Sequence, residues 1–297
     1  MKPTQKFREL LNGDELLISP GVYDAYSIRA VEQAGYKTAC TTGAGVANAR
    51  YGYPDVGIMG LSENLELCRV VARSVSIPVM ADADTGYGNP STVFEVARLF
   101  EETGVVGINL EDQLSPKRCG HMSGKDVIDR REMVKKIEAA CDARRDDNFV
   151  ILARTDAIAV EGIDAAVSRA QDYVRAGADI IFADAVHDAE QIKRLVDAVD
   201  VPVSVNMGFG IRQRPTTPLI PLSQLKKMGV RRVTLPRMLA AAAINAMQLA
   251  LGDLKNAVSQ GELHHRPDLL CSIDDIWDLM GYPEALARQG LYDQLDG

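Results

Sequence analysis

The sequence predicts an α/β fold, a (β/α)8 barrel of the TIM type carrying a helical extension at its C-terminal end. Three observations carry this expectation. Eight short apolar runs alternate with longer amphipathic stretches. The runs are continuous rather than alternating, as parallel strands covered on both faces require. The transitions also repeat. "EQAGYKTA", "EETGVVGIN", "VRAGADII" and "KKMGVRRV" each close a helix with glycine and enter a strand, while "SIPVMA" and "DVPVSV" enter through proline. A doubly wound open sheet is the main competitor, but eight units within about 240 residues favour closure.

The expected strands are 15–21, 38–44, 78–84, 104–112, 149–156, 179–185, 202–208 and 231–237. Between most of them the apolar residues recur with a 3.6-residue period. In 162–179, for example, Ile163, Ala166, Ala170, Tyr173 and Val174 share one stripe, and Gly177 stands where a C-terminal cap belongs. After the eighth strand, "MLAAAAINAMQLALGDLKNAVSQG" reads as one long helix over 238–261. Residues 262–297 keep helical spacing without a strand. The expected organisation is a barrel domain over 1–261 and a helical extension over 262–297, packed on the barrel or on a partner subunit.

The 297 residues carry a net charge of −8. A general nucleic-acid-binding face needs basic residues and is not expected. A local basic cluster could still hold an anionic small molecule. The N-terminus lacks a signal-peptide apolar run, and no window approaches a membrane span. The five cysteines are widely spaced and match no zinc or redox motif, so reduced thiols in the cytoplasm are expected. Cys40, Cys68, Cys141 and Cys271 read as packing residues, and His187, His264 and His265 as surface residues.

In a barrel of this kind, chemistry sits at the C-terminal ends of the strands. Read in order, those ends are Thr42-Gly43-Ala44-Gly45, Asp82-Ala83-Asp84, Glu111-Asp112, Arg154-Thr155-Asp156, Asp184, Asn206 and Pro236-Arg237. Asp82 and Asp84, two apart, would share a face of one strand. Glu111 would join them from the next. Three carboxylates on neighbouring strand ends repel without a cation, and oxygen ligands with no histidine pair suit Mg²⁺ better than zinc. Asp112 and Asp156 are evenly balanced between a role in the site and the plain one of helix cap or turn former. Arg154 closes an apolar strand and would bind a substrate carboxylate through its fork, or else pair with a neighbouring acid. The loop after strand four, "SPKRCGHMSGK", sets Cys119 among Lys117, Arg118, His121 and Lys125.

These residues, in this order, resemble the isocitrate lyase / phosphoenolpyruvate mutase superfamily over about residues 6–260. The resemblance is strongest at "DADTGYGN", "LEDQLSPKRCGH", "ARTDA" and the "YPDVG" turn. "KRCGH" within an "EDQ" loop is similar to the branch that cleaves carbon–carbon bonds, which includes 2-methylisocitrate lyase, 2,3-dimethylmalate lyase and oxaloacetate hydrolases. The resemblance implies a barrel whose last helix swaps between subunits of a homotetramer, a dimer of dimers. It implies Mg²⁺, with Mn²⁺ as a substitute, held by Asp82, Asp84 and Glu111, with Asp55 nearby. It implies a substrate carboxylate held by Arg154 and the Thr42-Gly43-Ala44 turn, with Asn206 in the pocket.

The implied reaction cleaves a 2-hydroxy di- or tricarboxylate to a 2-oxo acid, such as pyruvate, and a carboxylate carbanion. Lys117, Arg118 and His121 would place positive charge where negative charge develops. Cys119, a thiol with an ordinary pKa of about 8.5, would protonate the carbanion. The base that takes the hydroxyl proton is either Tyr23 or a metal-bound water. Phosphonomutase chemistry of the carboxyphosphonoenolpyruvate or phosphonopyruvate type and oxaloacetate hydrolysis are the alternatives on the same scaffold.

The sequence departs from the family pattern in its recognition half. Asp184 stands where glutamate is usual, and Cys40 where tyrosine is usual. The loop after strand seven is longer and carries Arg212 and Arg214, and Arg237 replaces a neutral residue. These arginines would bind a further carboxylate, or else form surface ion pairs.

Overall fold

The computed structural model describes residues 1–118, 124–208 and 217–293. Eight parallel strands close into a barrel in sequence order. They are β1 (Leu17–Val22), β2 (Ala39–Thr41), β3 (Val79–Asp82), β4 (Gly107–Glu111), β5 (Val150–Thr155), β6 (Ile180–Ala183), β7 (Val203–Asn206) and β8 (Arg232–Leu235). Closure comes from β1 pairing with β8, with Leu17 opposite Arg232 and Pro20 opposite Leu235. All eight expected strands are present, each shorter than its apolar run.

The continuous apolar runs resolve into two faces with the strand period of two. Leu17, Cys40, Met80, Val150, Leu152, Ile180 and Phe182 point into the barrel. Ala81, Ile108, Leu110, Ile151, Ala153, Ile181 and Val233 point outward, into the layer beneath the helices. Gly107 is dictated by the interior: a Cβ there would lie 2.3 Å from the Val150 carbonyl oxygen.

The helices on the outside are α2 (Ala25–Gln33), α3 (Gly43–Tyr51), α4 (Leu61–Ser74), α5 (Pro90–Glu101), α6 (Arg130–Ala143), α7 (Ile158–Glu161), α8 (Ile163–Arg175), α9 (Ala189–Ala198) and α10 (Leu222–Met228). In α8, Ala166, Ala170 and Tyr173 are buried as the stripe predicts. Gly177 follows with φ +103°.

Helix α1 (Pro3–Asn12) was not expected. It lies across the N-terminal end of the barrel, with Phe7 and Leu11 buried against Leu17, Met80, Val106 and Val150. Polar contacts fix its edge. Arg8 donates to the Asn148 carbonyl and to Asp179, and Thr4 and Lys2 reach Asp146.

Beyond the barrel run α11 (Met238–Gln260), α12 (Ile273–Met280) and α13 (Tyr282–Asp293). Only Ala257 of α11 is buried, while Ile244, Met247, Leu249, Leu251 and Leu254 are exposed. Cys40 and Cys68 are buried, as packing residues should be, but Cys271 is exposed, which corrects that expectation. It lies on the segment before α12, away from the barrel core. No helix among the described residues is long and apolar enough to cross a membrane.

Candidate active site

The strand ends meet in a polar chamber at the C-terminal mouth. It is lined by Thr42, Ala44, Asp55, Asp82, Glu111, Lys117, Arg118, Arg154, Asp184, Asn206, Pro236 and Arg237. Most of the expected site residues therefore come together. Cys119, His121, Arg212 and Arg214 lie outside the described residues. Tyr23 packs behind the Thr42–Gly45 turn, where a Cβ at Gly45 would meet its Cβ at 3.0 Å, and it lines a groove with α2 and α12. Burial, followed by the charge of Asp24, raises its phenol pKa.

Asp82 ends β3, but Asp84 does not continue it. Asp84 lies beyond the strand at φ +48°, so strand alternation is not what brings the two carboxylates together. The turn does so, and α4 and α6 hold it. Asn64 on α4 donates to the Asp82 carbonyl oxygen at 2.6 Å and to the Tyr87 hydroxyl at 2.8 Å. The buried Lys136 on α6 donates to the Thr85 carbonyl oxygen at 3.1 Å. Tyr87 is also at positive φ, +60°. Two non-glycine residues in the left-handed region store strain that these contacts must hold.

Thr42 caps α3, and the "TGAG" turn is the first turn of that helix. The Gly43 N–H donates to Asp82 Oδ2 at 3.1 Å. The helix N-terminus thus takes an anion, as the turn suggested, but the anion is the protein's own carboxylate. A Cβ at Gly43 would sit 3.1 Å from Asp82 Oδ2 and 3.4 Å from Asp84 Oδ1. Glycine is what lets the acidic pair close on the helix.

Lys117 enters this cluster. Its ammonium is 2.7 Å from Asp84 and 2.9 Å from Asp55. Burial pulls its pKa down, but Asp84, Glu111, Asp82 and Asp55 outweigh that and leave it well above the ordinary lysine value. Burial also pushes Asp84 up to about 6, against the charge of Lys117. Arg237 donates to Asp55 at 3.3 Å. The Arg118 N–H donates to Gln113.

Arg154 pairs with Glu111 at 3.1 Å, with Asp156 at 2.8 Å and with Asp184 at 3.1 Å. The ion-pair reading of Arg154 therefore holds in this structure, and its guanidinium still lines the chamber. Asp156 is not a cap. It is buried, and although burial opposes the shift, Arg154 and then Lys125 bring its pKa down to about 2. Asp112 is not a cap either; it accepts from Thr155, Tyr173 and the Asp156 N–H in the wall behind. Sequence reasoning missed Lys125 as a site residue. Its ammonium lies 2.8 Å from Asp156 and 3.6 Å from Asp184.

Among the described residues no set of three or more acidic, histidine or cysteine side chains forms a ready metal cage. The donors nevertheless fit a hard cation. Asp55, Asp82 and Glu111 line one chamber, Asp84 stands behind it on the far side of the Lys117 ammonium, and Glu111 Oε1 is buried with no hydrogen-bond partner among the described residues.

The model of the phosphoenolpyruvate phosphomutase family matches residues 7–255. The chain belongs to that family. It is 39% identical over 275 residues to the Corynebacterium glutamicum protein named "Probable 2-methylisocitrate lyase 2", covering 90% of this chain and 88% of the relative. It is 36% identical to 2,3-dimethylmalate lyase of Eubacterium barkeri, covering 95% of each. Among solved structures, oxaloacetate acetylhydrolase with 3,3-difluorooxalacetate superposes with a TM-score of 0.91 at 31% identity, covering 98% of this chain and 97% of that one. Phosphonopyruvate hydrolase with oxalate and Mg²⁺ gives a TM-score of 0.85 at 28% identity, covering 98% and 99%. Lyases, hydrolases and a mutase thus share the phosphoenolpyruvate phosphomutase scaffold, within the isocitrate lyase superfamily.

Proposed function

We propose that this chain is a divalent-cation-dependent carbon–carbon lyase that cleaves a 2-hydroxy di- or tricarboxylate of the 2-methylisocitrate or substituted-malate type. The products are a 2-oxo acid such as pyruvate and a carboxylate. The observation that carries the reading is the chamber itself. Asp55, Asp82 and Glu111 share one small polar space with Arg154, Lys117 and Arg118, and Asp84 pairs with Lys117 at its edge. Relatives named as 2-methylisocitrate and 2,3-dimethylmalate lyases support it.

Asp82, Asp84 and Glu111 would hold Mg²⁺, or Mn²⁺ in its place, and Asp55 would stand nearby. The cation, when bound, supplies charge that stabilises oxygen anions of the 2-hydroxy and 2-oxo acid. Arg154 orients a substrate carboxylate through its fork, while Asp156 and Asp184 hold the guanidinium in place. Thr42, Gly43 and Ala44 shape the adjoining wall, with Asn206 opposite. Lys117 and Arg118 bring positive charge to the carbanion that develops on the second fragment. Cys119, with His121 beside it in sequence, delivers the proton that completes that fragment.

Oxaloacetate hydrolysis is the second reading, favoured by the TM-score of 0.91 to oxaloacetate acetylhydrolase. The protein would act as a cytoplasmic homotetramer, a dimer of dimers, with α11 exchanged between subunits. The exposed apolar face of α11 supports that exchange. Light scattering on the purified protein would give the mass, and a monomer would refute the assembly.

The test is 2-oxo acid release with Mg²⁺ from 2-methylisocitrate, 2,3-dimethylmalate, other 2-alkylmalates and oxaloacetate, with phosphonopyruvate alongside. Turnover of a hydroxy acid that disappears in EDTA and in Cys119→Ser is expected. Turnover of oxaloacetate or phosphonopyruvate alone would overturn the lyase reading.

A further inference from the structure

Below the acidic mouth, a second chamber descends into the barrel. It is lined by Cys40, Thr42, Asp82, Asn109, Leu152, Arg154, Phe182, Asn206 and Arg232, among others, with about 500 Å³ of free space counting the part open to solvent. Arg232 is the unexpected member. It stands on β8, opposite Leu17 and Ser204, in a barrel interior that is otherwise mostly apolar.

Its guanidinium is buried, at 3% residue exposure. Nε donates to Ser19 Oγ at 3.1 Å, and Nη1 reaches Ser204 Oγ at 3.4 Å, a long contact. Nη2 is buried with no partner among the described residues. Cys40 is its remaining polar neighbour. That thiol donates toward the Ser19 and Pro20 carbonyl oxygens, and burial pushes its pKa up, so it is neutral.

Among the described residues no carboxylate forms an ion pair with Arg232, whereas Arg154, on β5 of the same barrel, and the buried Arg169, on the outer helix α8, each pair with acids. Two serine hydroxyls and a thiol supply no negative charge. A guanidinium held in low dielectric without a counter-charge is costly, and arginine cannot shed its proton to escape the cost. An unsatisfied N–H on that same group adds to it.

We propose that Arg232 anchors a small-anion subsite at the floor of the chamber, taking one carboxylate group or one halide ion. The carboxylate would be the distal arm of a substrate whose reacting end lies above, beside Arg154 and Asp82. The halide would be a resident counter-ion. Both answer to the same fork and the same free Nη2, and the shared chamber has room beneath the mouth for either. Cys40, small and neutral, leaves Arg232 open where a larger side chain would cover it.

The subsite does not depend on the reaction proposed above, and binding tests it directly. Purified wild-type protein and Arg232→Met would be titrated in halide-free buffer with sodium bromide and, separately, with 2-methylmalate, read by calorimetry and by thermal shift. Binding by wild type that weakens roughly tenfold or more in Arg232→Met is expected. Weakening for 2-methylmalate identifies a substrate arm, and weakening for bromide identifies a resident ion. Equal affinity of both proteins for both probes, or no binding of either probe to wild type, overturns the subsite. Arg232→Met should fold at least as well as wild type, since an unpaired buried charge is replaced by an apolar chain. Should it not fold, Arg232→Lys keeps the charge and loses the fork. Unchanged binding in that variant also overturns the proposal.

Discussion

The Lys117 ammonium lies 2.7 Å from Asp84 and 2.9 Å from Asp55, at the acidic wall of the chamber it lines. A lysine so placed neutralises the acids and competes with a divalent cation for them. Lys117→Met should therefore unfold more easily in EDTA, by about 3–5 kcal/mol, because it removes the ion-pair partner of the buried Asp84 and leaves Asp55 with Arg237 alone. Mg²⁺ should restore part of that loss, more than it stabilises wild type. Thermal melts of both proteins with and without Mg²⁺ check this, and an equal Mg²⁺ effect on the two would refute it.

Gly43 brings the N-terminus of α3 against Asp82. A methyl group there meets Asp82 Oδ2 at 3.1 Å and must push the acidic pair outward. Gly43→Ala is expected to lower Mg²⁺ affinity and kcat/KM by roughly tenfold while shifting the melting temperature little, the mark of a misplaced group rather than a broken core. Calorimetric Mg²⁺ titration and steady-state kinetics measure the two effects.

Asn64 holds the strained turn at Asp84 and Tyr87 with two short hydrogen bonds. Asn64→Ala should cost about 2–3 kcal/mol, since it leaves the Asp82 carbonyl and the Tyr87 hydroxyl without this buried donor. Denaturant unfolding would show it. A loss below about 0.5 kcal/mol would mean the turn is held by its other contacts.

Asp146 fastens α1 across the bottom of the barrel. The Asn148 backbone N–H does most to lower its pKa to about 2; burial opposes it, and the Asn148, Thr4 and Lys2 side chains add to the lowering. A depressed carboxyl contributes stability that is fully present above its unfolded value of about 3.9. That contribution is lost as the pH falls toward 2. Asp146→Asn should thus melt roughly 2–4 °C below wild type at pH 6, and the gap should close between about pH 4 and pH 2. Parallel melts across that range measure the gap, and a constant difference would show that charge is not its source.

Eight strands and the long helix after them were legible because buried parallel strands and amphipathic helices write their own periods into sequence. Helix α1 was not. "PTQKFRELLN" is amphipathic, but its partners are strand starts far along the chain, which no local pattern names. The approach of Asp82 and Asp84 was legible, but its cause was not, because a positive φ at an aspartate leaves no trace in composition. By residue type and loop position Lys117 and Lys125 look the same, and only the family resemblance gives Lys117 a role in the site. Only the fold shows one beside Asp55 and Asp84 and the other beside Asp156. Arg232, in "RRVTLPR", falls in an expected strand, but nothing in the local pattern shows that its side chain turns into the barrel.

Helix α1 also makes the barrel a vessel with one door. Phe7 and Leu11 stopper the far end, so the two fragments of any cleavage must leave by the route the intact molecule came in. The fragment nearer the mouth departs first, and the one lodged deeper waits behind it. Product inhibition would then be unequal. The deeper fragment would compete with fresh substrate for the empty enzyme, and the shallower one would bind only while the deeper one is still inside.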